Sequence, residues 1–425
     1  MSTTSQKTKN YLPWVIWAVA ACFYLYQFIL RVFTNVYAED IATSFDIFAY
    51  DLGTLSAFYY AAYATLQIPI GVLLDSLGAR RLLLSSVVLV CIGLGLFAAA
   101  ESLWIAKFGR FLTGAGSACG FICCVKIASV WFSEQMFPRV IGLTMLTGCI
   151  GAIMGGRPLS VLKSAYDWRM SLFFLTALGL CLVVMVYFII KDKKEGKEAP
   201  QTEKPGILKS LKTIASDKMS WVIVSFGALT YVPMAVFGDL WGVSFIKTAF
   251  EVSEADASSA IMMLFIGLCI GAPTFTYLAS FFKPRNILMM VTSAGSCLTL
   301  SILILMTQHL TFEITFALLF ASGILLGGQC INFALICERH GKHLSGTATG
   351  FSNSVIMATP FLIQPLIGWT LDITWSGILS DGRPQYTLEN YQAALIFVPI
   401  ALALSFLSAL TLTEKRQGRR ANKAT

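Results

Sequence analysis

Gly71-Val72-Leu73-Leu74-Asp75-Ser76-Leu77-Gly78-Ala79-Arg80-Arg81 is a charged turn held between two long apolar runs. A hydrophobic span must stop where water begins, and here it stops in Asp-x-x-Gly-x-Arg-Arg. Gly78 lets the chain reverse tightly. Asp75 closes one span, and Arg80 and Arg81 open the next, near enough for charge-assisted hydrogen bonds.

The same alternation of apolar run and charged turn extends over the whole chain. Hydrophobic residues make up 56% and charged residues 13%, where a soluble domain carries roughly a quarter charged. A helix needs ~20 apolar residues to cross a bilayer. Runs of that kind start near Leu12, Leu52, Leu82, Trp104, Val140, Met170, Ser220, Ala257, Ile287, Phe312, Thr347 and Ala393. The reading is an all-α membrane protein of twelve transmembrane helices.

The net charge of +8 is distributed as a membrane topology requires, not as a nucleic-acid surface. With the N-terminus in the cytoplasm, the basic loops fall inside: Lys7 and Lys9, Arg80 and Arg81, Arg139, Lys191–Lys218, Lys283 and Arg285, Arg339 and Lys342, and the Lys415–Lys423 tail. The opposite loops carry mainly acids, among them Glu39, Asp40, Glu251, Glu254, Asp381 and Glu389. Both termini are expected inside, in a bacterial inner membrane.

All 11 Cys lie in the spans, which implies no disulfide. Cys119, Cys123 and Cys124 read as small apolar filler. His340 and His343 flank a turn without a metal pattern, so no metal or cofactor is expected. No phosphate loop is present, so no ATP binding is expected. A membrane-embedded enzyme, the rival from another class, would need clustered His or acids inside the spans.

The chain divides into residues 1–190, a charged linker at 191–218 and residues 219–425, with six spans on each side. A weak repeat supports the division: Asp75 maps onto Ser280 and Arg80 onto Arg285. Two such halves imply a central cavity with a solute site near the bilayer midplane.

Gly-x-x-x-Asp-x-x-Gly-x-Arg at 71–80 resembles the signature loop of the major facilitator superfamily of secondary transporters. Arg110-Phe111-Leu112-Thr113-Gly114 and Trp168-Arg169 resemble further motifs of that superfamily. The resemblance covers essentially the whole chain. It implies two six-helix pseudo-repeats, alternating access, and a gating role for Asp75, Gly78, Arg80 and Arg285. A narrower resemblance, in Phe28-Ile29-Leu30-Arg31, Gly53–Tyr63, Leu240-Trp241-Gly242 and Gly346–Asn353, is to the proteobacterial intraphagosomal amino acid transporters.

Ionisable groups inside spans are costly and mark function. Tyr24, Gln27, Arg31 and Asn35 recur at helical spacing and share one face. Arg31 also sits where organic-anion carriers of the superfamily keep an anion-binding Arg. It reads as a clamp on a carboxylate or phosphate, or as an Arg snorkelling to the outer interface. Lys126 is either a second cavity cation or a residue near the cytoplasmic end of its helix. Arg110 reads as a coupling residue. Asp239 is the first candidate for proton coupling, or else an acid exposed at the mouth of a helix broken by Pro233 and Gly238. Glu39 and Asp40 are placed late in the first span. Tyr59, Tyr63, Tyr231, Gln329, Asn332, Asn353 and Gln364 complete the candidate lining. They either bind solute or lock helices.

These readings converge on a secondary transporter, expected as a monomer in the lipid bilayer, moving a small carboxylate-bearing solute with protons. An amino acid leads. An organic anion, a phosphate ester and a siderophore are the alternatives.

Overall fold

The computed structural model describes residues 4–192, 206–341, 344–380 and 383–412. Lys342, His343, Asp381, the Lys415–Lys423 tail and most of the linker lie outside the described residues. So do the side chains of Lys7, Lys9 and Asp75.

Hydrocarbon offers no hydrogen bonds, so each span must satisfy its own backbone as a helix. Eleven helices are long and apolar enough to cross. They are α1 (Tyr11–Val36), α3 (Ser76–Ala98), α4 (Leu103–Trp131), α5 (Phe137–Lys163), α6 (Trp168–Ile189), α7 (Lys218–Gly238), α8 (Glu254–Phe281), α9 (Asn286–Leu305), α10 (Phe312–His340), α11 (Ser345–Thr374) and α12 (Leu388–Thr411). The twelfth, α2 (49–75), is less apolar because it carries Asp51, Tyr59, Tyr60, Tyr63 and Gln67. It is separated from α3 by a non-helical break at Gly78, where φ is 79° and ψ 164°. A side chain at that φ would be strained. The outward faces are apolar: α6 alone exposes Leu178, Leu180, Val184 and Phe188. Such a surface suits lipid rather than water.

Two local departures from the sequence reading matter. Glu39 and Asp40 do not extend the first span, because the chain turns at Tyr37 and starts a separate short helix, Ala38–Phe45. The seventh helix is broken as expected, but into a π-helical segment, Met234–Gly238. Pro233 supplies no N–H, and the helix restarts at Gly242–Phe250. π-Helical segments recur at functional sites.

The face where α1 begins and α12 ends is called proximal here, and the opposite face distal. The first six helices meet the last six chiefly through α2 against α11, and α5 against α8. Close approach at the first contact depends on a missing side chain. A Cβ on Gly53 would lie 2.5 Å from the Gln364 carbonyl oxygen. One buried apolar cluster runs through both sets of helices.

Candidate functional site

Helix α1 carries the polar stripe into the centre of the bundle. Arg31 is 5% exposed. Its guanidinium lies 4.5 Å from the Phe28 ring centroid, 5.2 Å from Tyr63 and 6.0 Å from Tyr59. Nη1 donates to the Tyr231 hydroxyl at 3.4 Å. Nε has no partner among the described residues. A guanidinium snorkelling to an interface would reach water, so this burial removes that alternative.

Arg110 is fully buried on α4. Its Nη1 donates to the Leu30 carbonyl at 2.8 Å, and it sits 4.9 Å from both the Phe33 and the Tyr59 rings. Its Nε and Nη2 have no partner among the described residues. The two guanidinium groups therefore share the ring of Tyr59. Each cation–π contact contributes ~2 kcal/mol when desolvated, yet a ring does not neutralise charge.

The counter-charge is Asp239. It is 1% exposed, which excludes an acid open to the outer mouth. Tyr60 donates to its Oδ2, and the Tyr231 hydroxyl that meets Arg31 lies close by. The centre holds two cations, one anion and several orphaned polar atoms. Gln27, Tyr59, Gln364 and Ser56 each keep a buried oxygen or nitrogen with no partner among the described residues. Leaving such groups unmet costs ~1–3 kcal/mol each, so a polar solute or water arriving there is favoured.

The remaining candidates are mostly engaged in packing or in joining helices. Tyr24 is buried against Phe28 and Phe121. Asn35 caps the helix break: its Nδ2 donates to the Phe237 and Gly238 carbonyls at 2.6 and 2.8 Å, and its Oδ1 accepts from Val243 N at 2.9 Å. Gln329 donates to the Gly227 carbonyl at 3.1 Å, and Asn332 accepts from Ser352 at 2.6 Å. Gln364 donates to the Ala235 carbonyl at 3.0 Å. Those groups are engaged in joining helices. Lys126 and Asn353 are half-buried on α4 and α11.

At the distal end, polar groups cross between the two sets of helices. Asp372 of α11 accepts from the Ala49 and Tyr50 amides at 3.1 and 2.8 Å, capping α2 from the other set. Lys163 pairs with Asp40 and Glu254, and Lys247 with Glu39. At the proximal end, Arg80 donates from its backbone to Asp192 at 3.0 Å and from Nη2 to the Tyr187 carbonyl at 2.7 Å. Arg285 forms a fork with Glu338, both contacts 2.8 Å. Arg339 pairs with Asp217. His340 lies 2.6 Å from the Ser220 hydroxyl.

Sequence reading missed Tyr60, Asp192 and Asp372 as partners. Tyr60 stood beside two chosen tyrosines on α2, the only available signal. Asp192 gave none, and Asp372 only a loose repeat, Pro365-Leu366 before Asp372 answering Pro158-Leu159 before Asp167.

The profile of the Major Facilitator Superfamily matches residues 16–363. The chain is 24% identical to the gentisate transporter of Corynebacterium glutamicum, over 80% of this chain and 78% of that protein. It is 28% identical to an uncharacterized protein of Campylobacter jejuni, over 51% of this chain and 66% of that protein. With the hexuronate transporter of Bacillus subtilis it shares 24% identity over 45% of this chain and 46% of the relative. Among solved structures, a bacterial homolog of the human lysosomal transporter Spinster, inward-facing and unoccupied, superposes with a TM-score of 0.74 at 15% identity, covering 94% of this chain and 97% of that one. The nucleoside transporter NupG gives 0.73 at 14%, covering 94% and 99%. At such identity the likeness is one of fold.

Proposed function

This chain belongs to the Major Facilitator Superfamily, a family of transporters and not of enzymes, and from that premise we propose that it carries a small carboxylate-bearing organic solute bound at Arg31. One observation supports this most: two buried guanidinium groups face one buried carboxylate, and part of each guanidinium is unpaired. A planar fork with free N–H groups matches a carboxylate. The excess positive charge favours a net anion, so an organic acid now leads over the amino acid first expected. The gentisate and hexuronate carriers among the relatives, by their names, fit this order. Asp239 keeps the amino acid as the second reading, since an ammonium group would need an acid there, but Tyr60 already engages it.

The solute carboxylate takes the place of the Tyr231 hydroxyl on Arg31. Tyr231 then turns to Asp239, and a proton on that carboxyl couples the movement to protons. Residues 1–190 and 219–425 rock about the linker by alternating access. The proximal face is cytoplasmic, as its basic loops require. In this cycle, closing the distal end goes with opening toward the cytoplasm.

A thermal-shift screen of the purified protein tests the solute class. Gentisate, glucuronate, alanine and glycerol 3-phosphate serve as probes. Stabilisation by one or both organic acids, lost in Arg31→Ala, is the expected result. Stabilisation by alanine alone would select the second reading. A ligand that stabilises wild type and Arg31→Ala equally would contradict both.

A further inference from the structure

Helices α5 and α8 run antiparallel, and their contacts fix a register. A Cβ on Gly156 would meet Met262, 3.1 Å from its Cγ. Further toward the distal end, Ser160 and Lys163 donate to Glu254. In an antiparallel pair, a step back along one helix matches a step forward along the other. Seven residues make about two turns and return to the same face. Seven positions before Gly156 is Cys149, and seven after Met262 is Cys269. The register therefore sets these two thiols next to each other across the α5–α8 contact. Both are free and half-buried.

The other close cysteines teach the contrast. Cys119 and Cys123 also touch, but one turn apart on α4, where a bond would tie a helix to itself. Cys149 lies among the first six helices and Cys269 among the last six.

We propose that Cys149 and Cys269 are a redox-active pair whose disulfide braces the two sets of helices against each other and acts as a brake on transport. Hydrogen peroxide is the oxidant class. One sulfur attacks a peroxide oxygen, giving a sulfenic acid and water. The second thiol then displaces water as the S–S bond forms. Two electrons leave the sulfurs, two thiol protons are lost, and one peroxide becomes two waters. The second step is intramolecular, which favours it over reaction with outside thiols. A dithiol reductant reverses it. The brake, though not the bond, rests on the alternating-access reading.

The full chain, with a site for a sequence-specific protease inserted after Pro200, separates the possibilities. After peroxide treatment and cleavage, the two fragments should stay joined on a non-reducing gel and part with dithiothreitol. Cys149→Ser and Cys269→Ser should each abolish the link, and Cys330→Ser should leave it. Fragments that part in oxidised wild type, or a link surviving either of the first two variants, would overturn the pair. The brake is read by hydrogen exchange at the Ala49 and Tyr50 amides, which open only when the distal end opens. Oxidation should slow that exchange in wild type and leave Cys149→Ser unchanged. Unchanged exchange despite a formed bond would overturn the brake. Neither readout needs a solute, so failure here is distinct from failure of the carboxylate reading.

Discussion

The distal and proximal ends of the bundle use similar side chains to join different things. At the distal end Asn35, Asp372, Lys163 and Lys247 reach from one set of six helices to the other. The proximal pairs just described each join elements of the same set: Arg80 with Asp192, Arg285 with Glu338, Arg339 with Asp217. A contact within one set moves with it and survives a rocking motion. A contact between sets must break when that end opens. On the proposed alternating-access cycle, the difference assigns stabilisation of one gate state to the distal residues and stability of the fold to the proximal ones.

Asn35→Ala should strain this comparison most. It removes three buried hydrogen bonds between the sets and orphans two carbonyls and an amide. Roughly 2–4 kcal/mol of the distal-closed state should go, at ~1–3 kcal/mol per unmet group with partial relaxation. Hydrogen exchange at Val243 should rise sharply, with global unfolding less affected. Exchange at the wild-type rate would place Asn35 outside the gate.

Asp372→Ala comes next. The α2 N-terminus loses a charged cap supplied by α11, worth ~1–2 kcal/mol. The Ala49 and Tyr50 amides should exchange faster, while proximal amides stay as they were.

Arg285→Ala tests the other side. Its fork partner Glu338 is 52% exposed, so the loss should be about 1 kcal/mol in thermal stability, as for partly solvated ion pairs. Distal exchange should not change. A faster distal exchange here would erase the distinction between the ends.

The last test concerns acid. Arg339 beside Asp217 holds that carboxyl down at about 2, below its ordinary 3.8. A depressed carboxylate contributes stability above its unfolded value, lost as pH falls through the folded one. Asp217→Asn should thus cost about 1–2 kcal/mol at neutral pH, and its thermal midpoint should converge on wild type between about pH 4 and pH 2. A gap independent of pH would mean that shape, not charge, matters there.

Much of the fold was legible because lipid imposes a simple rule: every span is long, apolar and helical. Even α2, the least apolar, was marked by the turn at Gly78. The Tyr24–Asn35 stripe was legible because helical spacing reveals a face. Spacing does not reveal which helix that face meets. Tyr60 and Asp239 are 179 positions apart and touch only through packing. Asp372 stood in the sequence only as an acid late in a span, in a loose repeat. Arg110 read as a coupling residue, and nothing in the sequence told of its approach to Tyr59. Glu39 and Asp40 were placed on the first span because nothing in the sequence marks the break at Tyr37.

The central claim is that Arg31 grips the solute's carboxylate. Calorimetry with the solute that stabilises the protein, on wild type and Arg31→Lys, tests it most directly. A point charge in place of the planar fork loses a charged hydrogen bond worth ~1.5–3 kcal/mol. Affinity should fall roughly ten- to hundredfold while the thermal midpoint without solute barely moves. Equal affinity in the two proteins would contradict the account and move the anion site away from α1.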